Sequence, residues 1–138
     1  MVLGHGSALE KMLTPFKLGF GGPMGSGRQW WPWIAMADVV GAVDHVLTRT
    51  HLAGPVNLVA PETVTSKGFA RALGGHLGRP AIVPAPAFAV KRALGERAEA
   101  RLLSATKAVR KVLEDSGYRF NAPTLAEAVP QILGESRA

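Results

Sequence analysis

The sequence predicts an α/β fold that is predominantly helical and has only a few short strands. Three observations predict it. Apolar residues recur at helical spacing in several stretches that begin at residues suited to cap a helix. The clearest strand pattern, residues 56–60, is short and apolar and follows the turn signal Gly54-Pro55. A chain of 138 residues with 47% hydrophobic residues fits one domain, residues 1–138, with its own core.

The first helix is predicted over residues 7–16. Ser7 is a suitable N-cap, and Glu10 follows three residues later in the capping-box pattern. The apolar positions at helical spacing are Leu9, Met12, Leu13 and Phe16. This helix leads into the most unusual part of the chain.

Residues 19–38 contain five of the 16 glycines and all three tryptophans. The glycines, at positions 19, 21, 22, 25 and 27, permit positive φ angles, and the indoles offer large flat apolar surfaces. We interpret this stretch as one wall of a binding cleft. The predicted substrate contacts are Arg28, Gln29, Trp30, Trp31 and Trp33. The alternative is a glycine hairpin whose tryptophans pack into the core.

The glycine spacing does not match a cofactor-binding loop. Starting from Gly19 and Gly21, the third glycine of the dinucleotide fingerprint would fall at Met24, and no Gly-Lys-Ser/Thr follows. We therefore expect no cofactor-binding residues in this chain.

Asp38 is predicted to be a structural cap for a second helix that runs to about Thr50. After the strand at residues 56–60, Thr65 is predicted to cap a third helix. Its inward positions, four residues apart, are Phe69, Leu73 and Leu77.

Further helices are predicted over residues 86–95 and, as one or two helices, over residues 97–116. Thr124 and Glu127 form a second capping box that opens the final helix. Pro130 within that helix is expected to shorten or kink it.

Composition excludes several classes of function. The chain has no cysteine, which excludes disulfides and thiolate chemistry, and its four histidines share no metal-ligand spacing. The net charge of +6 is spread over several elements without a nucleic-acid motif, so we expect no nucleic-acid partner, although an anionic small molecule suits the sign. No apolar run approaches about 20 residues, so we expect a cytoplasmic protein without a membrane partner.

The tryptophan segment resembles the pattern G-x-L/M-G-S/T-G-x-Q-W-x-x-W-I of nucleoside-diphosphate-sugar epimerase-like proteins, a group of extended short-chain dehydrogenases/reductases with a C-terminal domain of unknown function. Further similarity covers residues 8–22, 52–65, 79–96 and 117–129. The resemblance implies the C-terminal, substrate-side part of that fold. Residues 1–65 would hold the glycine–tryptophan loop, a helix and the last Rossmann-type strand, and residues 66–138 a helical region.

The resemblance implies NAD or NADP for the full-length family, bound by an N-terminal Rossmann half that we expect this chain to lack. The family's Tyr-x-x-x-Lys catalytic pair has no counterpart, because the only tyrosine, Tyr118, is followed four residues later by Ala122. Trp31 stands where nucleotide-sugar epimerases carry an arginine for the diphosphate, so stacking would replace a charge-assisted bond. We therefore expect no catalytic residue here.

The functional prediction is a substrate-binding C-terminal part of an NAD(P)-dependent epimerase-like oxidoreductase, inactive alone, with an anionic or aromatic small-molecule substrate. Its expected partner is a second copy, in a homo-oligomer, or the missing N-terminal half, because strand 56–60 would otherwise expose unpaired edges. The alternative is a non-enzymatic interaction module that pairs with a separately encoded cofactor-binding half.

Overall fold

The computed structural model describes residues 1–4, 6–83 and 111–135. The helices are α1 (Ala8–Lys17), α2 (Met36–Thr48), α3 (Ser66–His76), α4 (Lys111–Asp115) and α5 (Leu125–Glu135). The strands are β1 (Val2–Leu3), β2 (Trp30–Trp31), β3 (Ile34–Ala35) and β4 (Val64–Thr65). This arrangement confirms the predicted α/β class with much helix and few short strands. The helix predicted over residues 86–95 and most of the region 97–116 lie outside the described residues.

The strands form two small pairs. β1 and β3 are parallel, with Val2 opposite Ile34 and Leu3 opposite Ala35. β2 and β4 are antiparallel, which holds the tryptophan segment against the start of α3. Together the two pairs place residues 30–35 in the middle of the molecule.

Residues 56–60, predicted as a strand, do not join either ladder. Ala60 N donates to the carbonyl oxygen of Trp33 at 2.7 Å, which ties the end of this segment beside β3. Apolar, β-branched residues favour an extended chain, but a ladder also requires a neighbour in register. In the described part of the chain, this segment therefore belongs to no strand ladder.

The core is built between α1, α3, α5 and the tryptophan segment. α3 packs on α5, and both helices turn apolar residues toward the two buried indoles. The largest fully buried side chains are Trp31, Trp33, Phe69, Leu3, Leu9, Leu73, Leu113, Val129 and Asp38. Asp38 is the only acidic residue in that set, which indicates that its carboxylate has a structural task.

Two predicted helix caps are confirmed. Ser7 Oγ accepts a hydrogen bond from Leu9 N at 3.2 Å at the start of α1. Thr65 Oγ1 accepts one from Gly68 N at 3.2 Å at the start of α3. Each cap satisfies an amide that the helix itself leaves unpaired, so these boundaries follow from the local sequence.

Half of the predicted capping box of the last helix is present, because Glu127 bonds back to Thr124 N, whereas Glu127 N donates to the Thr124 carbonyl oxygen and not to its hydroxyl. Glu127 Oε2 accepts hydrogen bonds from Thr124 N at 3.2 Å and from Thr124 Oγ1 at 2.9 Å. Leu125 N, the first amide of α5, donates to Glu62 Oε2 at 2.6 Å. α5 continues through Pro130 to Glu135, so the proline does not shorten the helix as expected. Within the described ranges, no helix has the length and apolar content needed to cross a bilayer.

Candidate functional site: the glycine–tryptophan loop

The glycine–tryptophan loop, residues 19–35, is shaped by its glycines in two ways. Gly19, Gly25 and Gly27 have positive φ angles of 83°, 56° and 72°, as the sequence predicted for loop glycines. Gly21 instead makes room for a ring, because a Cβ there would lie 2.3 Å from the Phe16 ring. The loop backbone is therefore both turned and tightly packed.

The loop is fastened to the first turn of α3. Met24 N donates to Ser66 Oγ at 2.9 Å. Ser66 N donates to the carbonyl oxygen of Gln29, and Lys67 N to that of Gly27, each at 3.0 Å. The first amides of α3 are thus paired with the loop, and this fixes the loop on a rigid helix.

The Gln29 side chain stabilises the loop by hydrogen bonds to two other loop residues. Its Nε2 donates to the Met24 carbonyl oxygen at 2.7 Å, and its Oε1 accepts from Ser26 Oγ at 3.3 Å. Both ends of the amide are therefore used within the loop. Of the neighbouring predicted contact residues, Arg28 is exposed and Trp30 is 42% exposed, so these two face outward.

Trp31 and Trp33 lie in the core and do not form an exposed wall. Both side chains are fully buried, and the ring of Trp31 stacks on Phe69 with centroids 5.9 Å apart. Side chains alternate along an extended chain, so the two indoles two residues apart point to the same side, away from Trp30. The structure thus corrects the cleft-wall interpretation for this pair and agrees with the alternative of core packing. Neither buried Nε1 has a hydrogen-bond partner among the described residues.

Asp38 does not cap α2, which corrects a second prediction. The N-cap is Ala35, which makes no side-chain hydrogen bond, and Asp38 is the third residue of the helix. Its Oδ1 accepts from Tyr118 Oη (3.1 Å), Asn121 N (2.7 Å) and Asn121 Nδ2 (3.1 Å), and its Oδ2 accepts from Ala122 N (3.0 Å). We call these bonds the Asp38 network. A buried carboxylate needs several donors, and here a distant segment supplies them.

A second polar contact lies two turns further along α2. His45 Nε2 is 2.9 Å from Ser116 Oγ, and that hydroxyl donates its hydrogen to the Leu113 carbonyl oxygen at 2.8 Å. His45 Nε2 must therefore be the donor. The Tyr118 and His45 rings pack edge to face, with their centroids 5.4 Å apart. A Cβ on Gly41 would lie 2.5 Å from Tyr118 Oη. One face of α2 is thus shaped to receive residues 116–122.

Tyr118 makes the stability of the fold sensitive to high pH. Burial, then the charge of Asp38 and the hydrogen bond to it, raise the pKa of Tyr118 to about 12. An unfolded tyrosine ionises near pH 10. The neutral phenol therefore contributes stability below about pH 10, and this contribution is lost as pH rises toward about 12.

We expect the midpoint of urea unfolding to fall more steeply between about pH 10 and about pH 12 in the parent than in Tyr118→Phe. The Phe variant is the control for lysines, which titrate over the same range. Equal slopes in both proteins would contradict this role for Tyr118.

The described residues do not by themselves fit a dinucleotide. At the start of α1, an amide donates a hydrogen bond to Ser7. At the start of α3, the amides donate to the glycine–tryptophan loop and to Thr65, and at α5 one amide donates to Glu62. At α2, the Asp38 carboxylate puts negative charge where a phosphate would bind. No set of three His, Cys, Asp or Glu residues in the described ranges is arranged to hold a metal ion.

A largely apolar groove of about 450 Å³ lies between α3 and α5. Its polar side chains are Glu62 and His76, and the Glu62 carboxylate already accepts from the first amide of α5. None of the predicted substrate contacts lines this groove. The loop surface around Arg28 and Trp30 and the groove are therefore separate features.

Comparison with known proteins supports an origin in one family. A family model described as "Domain of unknown function (DUF1731)" matches residues 85–132. The chain is 44% identical over 135 residues to the mouse "Epimerase family protein SDR39U1", covering 96% of this chain and 46% of that protein. It is 38% identical over 124 residues to "Epimerase family protein Mb2239" of Mycobacterium bovis, covering 90% of this chain and 41% of that protein.

Two solved structures share the fold. One is human epimerase family protein SDR39U1 (isoform2) with NADPH, with a TM-score of 0.86 and 39% identity over 96% of this chain and 45% of that chain. The other is the nucleoside-diphosphate sugar epimerase from Corynebacterium glutamicum, with a TM-score of 0.67 and 22% identity, which shows the fold alone. The fold is that of the extended short-chain dehydrogenases/reductases.

Within that class, the chain is similar to the C-terminal part of the SDR39U1-like epimerase family proteins, as the sequence resemblance predicted. It spans less than half the length of the curated relatives it matches.

Proposed function

We propose that this chain is the substrate-side part of an NAD(P)-dependent epimerase-like oxidoreductase and that it acts only together with the cofactor-binding part of the fold. One observation carries the proposal: 96% of the chain matches 45% of a human relative whose structure was solved with NADPH. The dinucleotide would be held by the remainder of that fold, since amides at the starts of α1, α3 and α5 already pair with protein groups.

Arg28 and Trp30 are the proposed substrate contacts. Both side chains face outward from a loop that Gln29 and Ser66 hold in place, so little backbone conformational entropy is lost when a ligand binds. A guanidinium pairs with an anionic group, and an indole stacks on a planar ring. We therefore propose an anionic or aromatic small-molecule substrate. Gln29 acts as a positioning residue, because its amide is engaged within the loop.

No chemical step is assigned to this chain. Its one tyrosine, Tyr118, donates its hydroxyl hydrogen within the Asp38 network and packs against α2, not against the glycine–tryptophan loop. A proton donor or acceptor for the substrate would come from the part of the fold that also binds the dinucleotide.

A chimera tests the proposal. It replaces the matched part of human SDR39U1 with this chain, and calorimetry measures NADPH binding to the chimera and to the chain alone. We expect low-micromolar affinity for the chimera and no measurable binding by the chain, because amides at the starts of α1, α3 and α5 pair with protein groups and Asp38 lies in the first turn of α2.

Arg28→Ala is the matched control in the chimera, and it should leave the NADPH affinity unchanged because Arg28 is assigned to the substrate. Low-micromolar NADPH binding by the chain alone would contradict the proposal, as would a folded chimera that binds no NADPH.

A further inference from the structure

Lys67, in the first turn of α3, lies against the glycine–tryptophan loop next to the proposed substrate contact Arg28. Its backbone amide donates to the Gly27 carbonyl oxygen at 3.0 Å. A Cβ on Gly27, which has a φ of 72°, would lie 3.2 Å from Lys67 Cβ, so a larger residue there would press against the lysine. The glycine therefore lets the lysine side chain start directly beside the loop, one residue away from Arg28.

The pairing of β2 with β4 leads to the same neighbours. Trp30 is opposite Thr65 in this antiparallel ladder. Continuing the register by two residues places Arg28 opposite Lys67, and the amide bond from Lys67 to the loop keeps the two segments together at this point. Both cationic side chains are exposed, and Arg28 faces outward together with Trp30. We call Arg28 and Lys67 the two-cation site.

The two-cation site is unfavourable for the chain without a ligand. Like charges on opposite positions repel each other. A cation in the first turn of α3 also opposes the helix dipole, which favours acidic residues there, and this turn contains none. Within the described ranges neither Arg28 nor Lys67 pairs with an acidic side chain, and the exposed Arg71 adds positive charge one turn further along α3. Departures from local rules without compensation are expected at functional sites.

We infer that the two-cation site binds a substrate group with two negative charges, either a phosphate ester or a pair of carboxylates, on a molecule whose planar ring lies beside Trp30. The inference rests on the proposed function and narrows its substrate class to an aromatic dianion. The planar guanidinium of Arg28 binds two oxygens of such a group, and the compact ammonium of Lys67 neutralises the second charge. Lys67 is thereby a specificity-determining residue that selects two charges over one.

Three aromatic ligands test the charge of the bound group. Phenyl phosphate and phthalate are dianions at about pH 8, whereas phenyl sulfate has nearly the shape of phenyl phosphate and one charge. Titration of the full chain, followed by its tryptophan indole resonances, gives the dissociation constants. We expect at least one dianion to bind about fivefold more tightly than phenyl sulfate. The tighter dianion shows whether the site prefers a phosphate ester or a pair of carboxylates.

Lys67→Gln removes the charge and keeps most of the length of the side chain. It should weaken dianion binding about fivefold and leave phenyl sulfate binding nearly unchanged, and Lys67→Arg should restore the preference for two charges. Without ligand, the melting temperature of Lys67→Gln should stay constant or rise by about 1 to 2 °C, because a repulsion is removed. Lys11→Gln, at an exposed position on α1, is the matched control and should leave every affinity unchanged.

Dianions that bind no more tightly than phenyl sulfate would overturn the inference. Dianion binding that Lys67→Gln does not weaken, or that Lys11→Gln weakens equally, would overturn it too. In the SDR39U1 chimera, Lys67→Gln should leave the NADPH affinity unchanged, and a loss there would assign these cations to the cofactor and refute the inference. The proposed function fails separately, since a folded chimera that binds no NADPH would refute it while Lys67-dependent dianion binding by the chain would retain the two-cation site.

Discussion

Replacing Trp33 with alanine should lower the free energy of unfolding by about 3 to 5 kcal/mol, the usual cost of removing a large aromatic side chain from a core. Trp33 is fully buried and belongs to the main core cluster. Urea denaturation measures the loss. Trp30→Ala is the comparison variant, and it should cost less than Trp33→Ala because 42% of the Trp30 surface is exposed.

Trp33→Phe refines the comparison. The smaller ring keeps most of the apolar contact and removes an indole N–H that has no partner among the described residues. Its cost should therefore be less than half that of Trp33→Ala. A larger loss for Trp30→Ala than for Trp33→Ala would contradict the assignment of Trp33 to the core and of Trp30 to the loop surface.

Replacing Asp38 with alanine should cost about 3 to 4 kcal/mol, because the buried amide of Ala122 and the other donors of the Asp38 network lose their acceptor. Chemical unfolding followed by circular dichroism measures the change. Asp44→Ala on the same helix is the control, and its exposed carboxylate should contribute under about 0.5 kcal/mol.

Asp38→Asn separates the charge from the shape of the side chain. An asparagine keeps one acceptor oxygen for Tyr118 and Asn121, but its amide nitrogen would face Ala122 N, where Oδ2 now accepts at 3.0 Å. We expect a substantial loss with this nearly isosteric change. A cost near 1 kcal/mol for Asp38→Ala, typical of a lost helix cap, would instead restore the capping role predicted from the sequence.

The features that the sequence predicted well are local. Helix-start bonds join residues no more than three positions apart at Ser7, at Thr65 and between Thr124 and Glu127. Short sequence patterns are therefore enough to predict them. The family resemblance could also be recognised from the sequence, because it depends on motifs along the whole chain. The shape of the glycine–tryptophan loop was also indicated by its glycines.

The features that the sequence did not predict depend on distant partners. Nothing near Trp31 or Trp33 says which side of the extended segment meets α3, so their burial could not be separated from a cleft wall. The donors for Asp38 come from Tyr118, Asn121 and Ala122, and sequence reasoning considered Tyr118 only as a member of an incomplete catalytic pair. Whether residues 56–60 form a strand likewise depends on a neighbour in register.

The Asp38 network also bears on the order in which the chain folds. It joins residues 80 to 84 positions apart, so its loop-closure entropy must be lost before any of its bonds can form. Contacts of such long range form late, after local helices such as α1 and α3 have their caps. Asp38→Asn should therefore accelerate unfolding and leave the refolding rate nearly unchanged in stopped-flow measurements. The polar bonds of α2 would then form last during folding and set the rate at which the native state unfolds.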